Sequence, residues 1–369
     1  MLSALFSENL GKAKFISLAL ILEFMFLSMM TVWLPVLLGV GVIYLLFRPE
    51  TGWLARWRQA RKFIQRRRQE DALKHLLHGE ANQRGVTLES LAGALQISTG
   101  QVAGLVAEME KGGMVSSTDG PLRLEPAGRE LAVHVVRAHR LWESYLADQT
   151  GVGETQWHRQ AEIQEHLLSP VQTEALAAKL GNPLRDPHGD DIPAAGGPLA
   201  ADAGQTLNEA PAQKPLVITH LEDEPEIIYA QLAAVGLQPG MKIRVLEKNA
   251  RQVRFQADGR ERVLAPVLAA NIFVRPLPEE EAAAWDEAET LAGLEPGRRV
   301  QVAGLAPACR GPERRRLLDL GFVPGTAVEV EMASPAGDPI AYRVRGTLIA
   351  LRQRQAAMIR VSRLEAAPA

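Results

Sequence analysis

Between Phe15 and Phe47 the only charged residue is Glu23, and Phe24 to Phe47 is one uncharged, mostly apolar run. As a helix that run is about 36 Å long, enough to cross a hydrocarbon core of about 30 Å once. The segment is too short for two spans of about 20 residues each, so one transmembrane helix is expected over about residues 24–47, kinked at Pro35. A secretory signal has a shorter apolar region that ends in small residues. This one ends in Phe47-Arg48-Pro49 and is expected to stay attached. Lys12 and Lys14 precede the span, whereas Arg48, Arg56, Arg58, Arg61, Lys62, Arg66, Arg67 and Arg68 follow it, with Trp53 and Trp57 as interfacial anchors. That bias predicts a single-pass protein of the cell (inner) membrane whose C-terminal domains are cytoplasmic.

Net charge decides little, because 41 Lys and Arg face 43 Asp and Glu over 369 residues. The basic stretch lies close to the membrane, where topology and anionic lipid account for it without nucleic acid. Cys309 is the single cysteine. It fits a reducing compartment and excludes both an intrachain disulfide and a multi-cysteine zinc site.

Short helical patterns follow the basic stretch: one from Asp71 to His78, one opening at Thr87 and one opening at Ser98, the last two with N-cap residues. Gly113-Met-Val, a turn at Asp119-Gly120 and Leu122-Arg-Leu then predict a two-stranded wing, so residues 70–130 read as a winged helix-turn-helix. A long helix is expected from Arg129 to about Asp148. It carries His139 and Glu143, four residues apart.

His158, Glu162, Glu165 and His166 stand at offsets of four, seven and eight, which on one continuous helix places all four on one face. Imidazoles and carboxylates without thiolate suit Mn(II), Fe(II) or Zn(II). Two such clusters so close together argue for a metal site over a pair of solvated helix faces.

From about residue 70 to 193 the chain resembles the diphtheria-toxin-repressor and manganese-transport-regulator family of metal-dependent repressors. The residues that carry the likeness are Met109-Glu110-Lys111 with Gly113 and Val115, Glu125-Pro-Ala-Gly-Arg, His139-Arg-Leu-Trp-Glu143, His158-Arg-Gln-Ala-Glu162-Ile-Gln-Glu165-His166, and Asp186-Pro-His-Gly-Asp-Asp-Ile-Pro193. The resemblance implies a homodimer, Fe(II) or Mn(II) as cofactor, a DNA operator, and a metal-binding and dimerisation domain over residues 131–193. It also implies two metal positions, one of His139, Glu143 and His158, the other of Glu162, Glu165 and His166, with Asp71 near the family's ligand on the first helix. Glu162 stands where iron-sensing members have Cys, and Lys74 where the manganese type has a carboxylate.

The candidate recognition helix is poor in base-reading groups. Only Ser98, Thr99 and Gln101 are suited to contact bases, beside Ala103, Gly104, Ala107 and Glu108. Residues 71 to 170 hold 8 Lys and Arg against 13 Asp and Glu, a balance that opposes phosphate attraction.

Residues 194–214 have the composition of a flexible linker. Beyond them a repeat recurs at a separation of 85: Gly236-Leu-Gln-Pro-Gly240 before Lys242-Ile-Arg-Val, and Gly321-Phe-Val-Pro-Gly325 before Val328-Glu-Val. Two small β barrels are expected, over residues 215–276 and 291–364, joined by a linker over 277–290. The second is similar to the ferrous iron transport protein A family through Arg315-Arg-Leu-Leu-Asp-Leu-Gly-Phe-Val-Pro-Gly325, Gly337-Asp-Pro-Ile and Arg345-Gly-Thr-Leu-Ile-Ala-Leu-Arg352, which implies an SH3-like fold. The first copy keeps the Gly-x-x-Pro-Gly turn. The chain thus reads as α+β multidomain: a 1–69 anchor and juxtamembrane segment, a winged helix, a helical metal-binding domain and two SH3-like FeoA-type barrels. No catalytic constellation is present, so an enzyme is not expected. Two functions fit: a membrane-anchored, metal-responsive transcriptional regulator of iron or manganese homeostasis, or a non-DNA-binding accessory of a membrane ferrous iron transporter.

Overall fold

The computed structural model describes residues 23–26, 28–31, 33–34, 36–117, 121–200, 204–257, 260–279, 281–282, 289–306 and 309–363. The kink expected at Pro35, the turn at Asp119-Gly120 and half of the second linker, residues 280 and 283–288, lie outside them. The chain divides into two compact units, Met1–Gln69 and Glu70–Ala369.

In the first unit, α1 (Glu23–Phe47) is long and apolar enough to cross a membrane by length and composition. Its apolar side chains are exposed, Phe24 and Leu45 among them. Helix α2 (Trp53–Ala81) begins eighteen residues before the expected start at Asp71, because the intervening Arg, Lys, Gln and Ala residues are good helix formers with no Gly or Pro among them. The Arg61 guanidinium lies over the Trp57 ring, 4.1 Å from its centroid.

In the second unit, the end of α2 buries Leu73, Leu76 and Leu77 against α3 (Leu88–Leu95) and α4 (Thr99–Lys111). Both caps form as expected: the Thr87 hydroxyl accepts from Ser90 N–H, and Ser98 and Gln101 make a reciprocal capping box. Strands β1 (Val115–Ser116) and β2 (Arg123–Leu124) pair antiparallel as a short ribbon. Helix α5 (Pro126–Gln149) starts three residues before the expected Arg129, since Pro126 is pre-set for a first helical turn. Val133 and Val136 pack into the core with α2 to α4, and Leu141 packs against Ala177.

Helix α6 (Trp157–Gln164) is short and is followed by α7 (Pro170–Lys179). The single face expected over His158 to His166 is therefore broken. Glu165 and His166 follow the last helical residue, in a turn before the Ser169–Gln172 capping box.

The C-terminal half contains two antiparallel six-stranded sheets. The first orders β3 (Gln205–Thr206), β8 (Ile272–Pro276), β4 (Pro215–Leu221), β5 (Lys242–Lys248), β6 (Val253–Ala257) and β7 (Arg260–Leu264). The second repeats that order with β9 (Glu289–Thr290), β14 (Ile359–Arg363), β10 (Arg299–Leu305), β11 (Ala327–Ala333), β12 (Ile340–Val344) and β13 (Thr347–Leu351). Each has its own core, around Phe255 and Ile218 in one and Tyr342 and Phe322 in the other. Strand β3 and the fully buried Leu207 and Ala210 belong to the first of these domains. The linker expected to reach residue 214 thus ends before Gln205.

Two close backbone approaches set the domains together. Gly189, at φ +100°, leaves no room for a Cβ, which would lie 2.0 Å from the Thr219 carbonyl oxygen of β4. Gly311, at φ +55°, sits where a Cβ would lie 2.6 Å from the Ala147 carbonyl oxygen of α5. The first contact holds the Asp186 to Asp190 loop against the first sheet domain; the second holds the helix Gly311–Asp319 against α5.

Candidate metal centre

His139 and Glu143 are one turn apart on α5, so both point to the same side. His139 Nε2 lies 3.0 Å from Glu143 Oε1. His158, in the first turn of α6, brings Nδ1 to 3.4 Å from the same oxygen. Asp223, in the loop that follows β4, closes the group with Oδ2 2.8 Å from His158 Nδ1. Donor atoms of His139, Glu143, His158 and Asp223 all lie within 4.8 Å of one another.

A second group joins Asp71 on α2 to Glu165 and His166 in the turn after α6. His166 Nε2 is 3.1 Å from Asp71 Oδ1 and 3.5 Å from Glu165 Oε1. Its other nitrogen, Nδ1, is 2.6 Å from Glu70 Oε2, the kind of outer carboxylate that fixes the orientation of a ligating imidazole. Glu165 Oε2 lies 2.5 Å from His139 Nδ1, so this carboxylate connects the two groups.

The structure redistributes the expected ligands. Glu162 does not join Glu165 and His166; it falls with His158 and Glu224, its Oε1 3.7 Å from His158 Nε2. Glu165 still closes a helical bond to the Ala161 carbonyl, so the regrouping lies in what each side chain meets: Glu165 takes Lys74 and His139, whereas Glu162 takes His158. Asp223, Glu224, Asp186 and His188 are added. His188 Nδ1 is 3.5 Å from Glu143 Oε2 and 3.4 Å from Asp223 Oδ2. Asp186 Oδ1 accepts the backbone N–H groups of His188, Gly189 and Asp190, each at 2.9 Å, which shapes the loop that presents His188. The motif Asp-x-His was visible in the chain; Asp223 had only the acidic run before Pro225 to mark it.

These groups are buried. Glu143, Asp186 and His188 are each 1% exposed. Burial lowers the pKa of an imidazole, but the carboxylates outweigh it: Asp223, Glu143 and Glu224 push His158 up to about 12, Asp71, Glu70 and Glu165 push His166 up to about 9, and Glu143, Asp223 and Asp186 push His188 up to about 10. Burial raises a carboxylate, yet Lys74 and His139 hold Glu165 down at about 2. Asp186 goes the other way, to about 8, through burial and the neighbouring Asp190 and Glu143 charges.

A divalent cation fits this donor set. His158 Nδ1, His166 Nε2 and both ring nitrogens of His188 are buried without a hydrogen bond of good geometry, and all but one of them face carboxylates within 3.5 Å. Buried polar atoms left in that way call for an explanation, and borderline nitrogen with hard oxygen donors is the set that Mn(II), Fe(II) and Zn(II) share.

The expected base readers stand apart from these groups. Ser98, Thr99 and Gln101 are exposed at the start of α4, but Gln101 Oε1 accepts from Ser98 N–H and Oγ–H, both at 3.1 Å, and Ser98 Oγ accepts from Gln101 N–H. Two of the three side chains are occupied by the cap.

Comparison with known proteins places the chain in a family. Residues 125–194 match the iron dependent repressor, metal binding and dimerisation domain, and residues 205–276 and 289–363 each match the FeoA domain. The iron-dependent repressor IdeR of Mycobacterium leprae (strain TN) is 30% identical over 190 residues, 48% of this chain and 82% of that protein. A probable metal transport system membrane protein of Chlamydia trachomatis serovar D is 32% identical over 155 residues, 40% of this chain and 34% of that protein. Among solved structures, a manganese-dependent transcriptional repressor in complex with manganese aligns with a TM-score of 0.52 at 28% identity, over 57% of this chain and 100% of the other. The chain is therefore an α+β protein that belongs to the iron-dependent repressor family and carries two FeoA domains.

Proposed function

We propose that this chain is a membrane-tethered transcriptional regulator of iron or manganese homeostasis, responsive to Fe(II) or Mn(II), with Zn(II) accepted by the same donors. The observation that carries the reading is the convergence of buried imidazole nitrogens, without hydrogen bonds of good geometry, on Glu143, Asp223, Asp71 and Glu165. Residues 70–130 read as a winged helix and each FeoA domain as an SH3-like barrel. When bound, a divalent cation supplies positive charge at the centre of the carboxylates. Asp71 then ties α2 to the turn after α6, and Asp223 ties the first FeoA domain to α5. Family membership makes DNA the expected target and a homodimer the expected state. Ile163, Leu167 and Val171 are the exposed apolar residues beside the site and the face we assign to the dimer.

The test uses the full chain in detergent micelles with DNA from its own upstream region. Mn(II) or Fe(II) should be required for a complex that survives about 150 mM salt, where sequence-independent attraction is screened. Asp71→Asn with His166→Gln should abolish it. Equal DNA binding in chelator would remove the metal switch.

A second reading has its own support. The exposed face of α4 carries Ala103, Gly104, Ala107, Glu108 and Glu110 but no basic side chain before Lys111, and Ser98 and Gln101 are engaged in the cap. A module without DNA contacts would serve as an accessory of a membrane ferrous iron transporter through its FeoA domains. Co-purification of a transporter that Asp71→Asn weakens, with no metal-dependent DNA complex, selects this reading.

The anchor reading has a direct check. Eight basic residues follow α1 and two precede it, so a reporter fused after Ala369 should report cytoplasm. Alkaline phosphatase activity at that position would reverse the topology.

A further inference from the structure

A basic side chain stands between the two ligand groups. Lys74 follows Asp71 by three residues on α2, and its Nζ lies 3.0 Å from Glu165 Oε2, 3.3 Å from Glu165 Oε1 and 3.5 Å from His139 Nδ1. Glu165 is 2% exposed, whereas the Lys74 side chain is 24% exposed. One carboxylate thus receives an ammonium on both oxygens, the His139 ring on Oε2, and His166 near Oε1.

A cation held by Asp71, Glu165 and His166 draws on the same lone pairs that face Lys74. Two positive charges a few Å apart on one carboxylate repel strongly where water is scarce. The lysine stem offers a way out: it is flexible, and with the side chain 24% exposed a change of rotamer can carry the ammonium to solvent. Glu165 has no comparable freedom.

We propose that Lys74 is an internal competitor for the metal. Its ammonium holds Glu165 in the metal-free protein and must leave for a divalent cation to bind at Asp71, Glu165 and His166. The inference rests on the metal reading given above. Lys74 thereby sets the affinity of that group and keeps it weaker than the His139, Glu143, His158 and Asp223 group. Because Glu165 also meets His139, withdrawal of the ammonium is felt at both.

The experiment is calorimetric titration of the full-length protein in detergent micelles with Mn(II), alongside melting curves with and without the ion. Lys74→Met keeps the stem and removes the charge; it should lower Tm in metal-free buffer and tighten Mn(II) binding at one group by about tenfold or more, the scale on which outer partners tune a metal site. Lys74→Arg should stay close to wild type. Adding Asp71→Asn to Lys74→Met should erase the gain, which places it at the second group. Should Lys74→Met not fold, Lys74→Gln keeps a hydrogen bond to Glu165 without the charge, and the same tightening is required of it. Unchanged or weaker Mn(II) binding in the neutral variants overturns the competitor role and leaves the metal reading standing. Absence of Mn(II) binding in wild type and variants alike overturns both.

Discussion

The His139→Ala protein is expected to lose the part of the metal-dependent rise in melting temperature that its own ligand group supplies and to be less stable by about 3–5 kcal/mol without metal, the cost of breaking a buried pair. Both effects follow from its position. Nε2 meets Glu143 and Nδ1 meets Glu165, so one truncation leaves two carboxylates, 1% and 2% exposed, without their imidazole. In the wild type, a ligand at about 100 times its Kd adds about 2.7 kcal/mol per site, which differential scanning fluorimetry reads as a shift of several degrees. His75→Ala is the control. That histidine also lies at the start of the winged region, but it hydrogen-bonds Ser90 Oγ at 2.8 Å and belongs to neither ligand group. It should keep the full metal-dependent shift. A His139→Ala protein whose melting point still rises with Mn(II) as the wild type's does would remove His139 from the site.

What the sequence made legible follows the range of each interaction. Thr87 and Ser98 act within three residues, so their caps could be read directly, and the repeat between Gly236 and Gly321 predicted two domains whose sheets share one strand order. His139 and Glu143 were legible for the same reason: one helical turn separates them. The continuous face over His158 to His166 was not there. The one signal of a break was Pro170, which opens α7 at its first position and holds Ser169 extended, so no helix could run from α6 through Ser169. Asp223 and His188 are brought to Glu143 by Gly189 packing on Thr219, a contact between domains that no local pattern encodes. Val133 and Val136, on the same helix as His139, pack instead into the core of the winged region, a contact that is again between segments distant in the sequence.

Metal binding is expected to strengthen steeply as pH rises from 6 to 8, and protons should be released as it occurs. An imidazole ligates only when neutral. Burial alone would favour that form, but the surrounding carboxylates push His158 up to about 12 and His166 up to about 9, and His139 is raised as well, Glu143 and Glu165 outweighing both burial and the Lys74 ammonium. His158 and His166 thus carry a proton at pH 7 in the metal-free protein and must give it up to become ligands, and His139 is shifted in the same direction. Each proton released contributes about one decade of affinity per pH unit, from the linkage of proton and metal binding. His158 should therefore give its group at least about tenfold per unit, and His166 its group about tenfold. Glu165, held at about 2, stays ionised across this range and adds no step. Asp186 and His188 make the proton count informative. With Asp186 at about 8 and His188 at about 10, their participation would raise the release beyond what His139 and His158 supply. Calorimetry in buffers of different ionisation enthalpy counts them. An Mn(II) affinity that is flat between pH 6 and 8 would mean that these imidazoles are not the ligands.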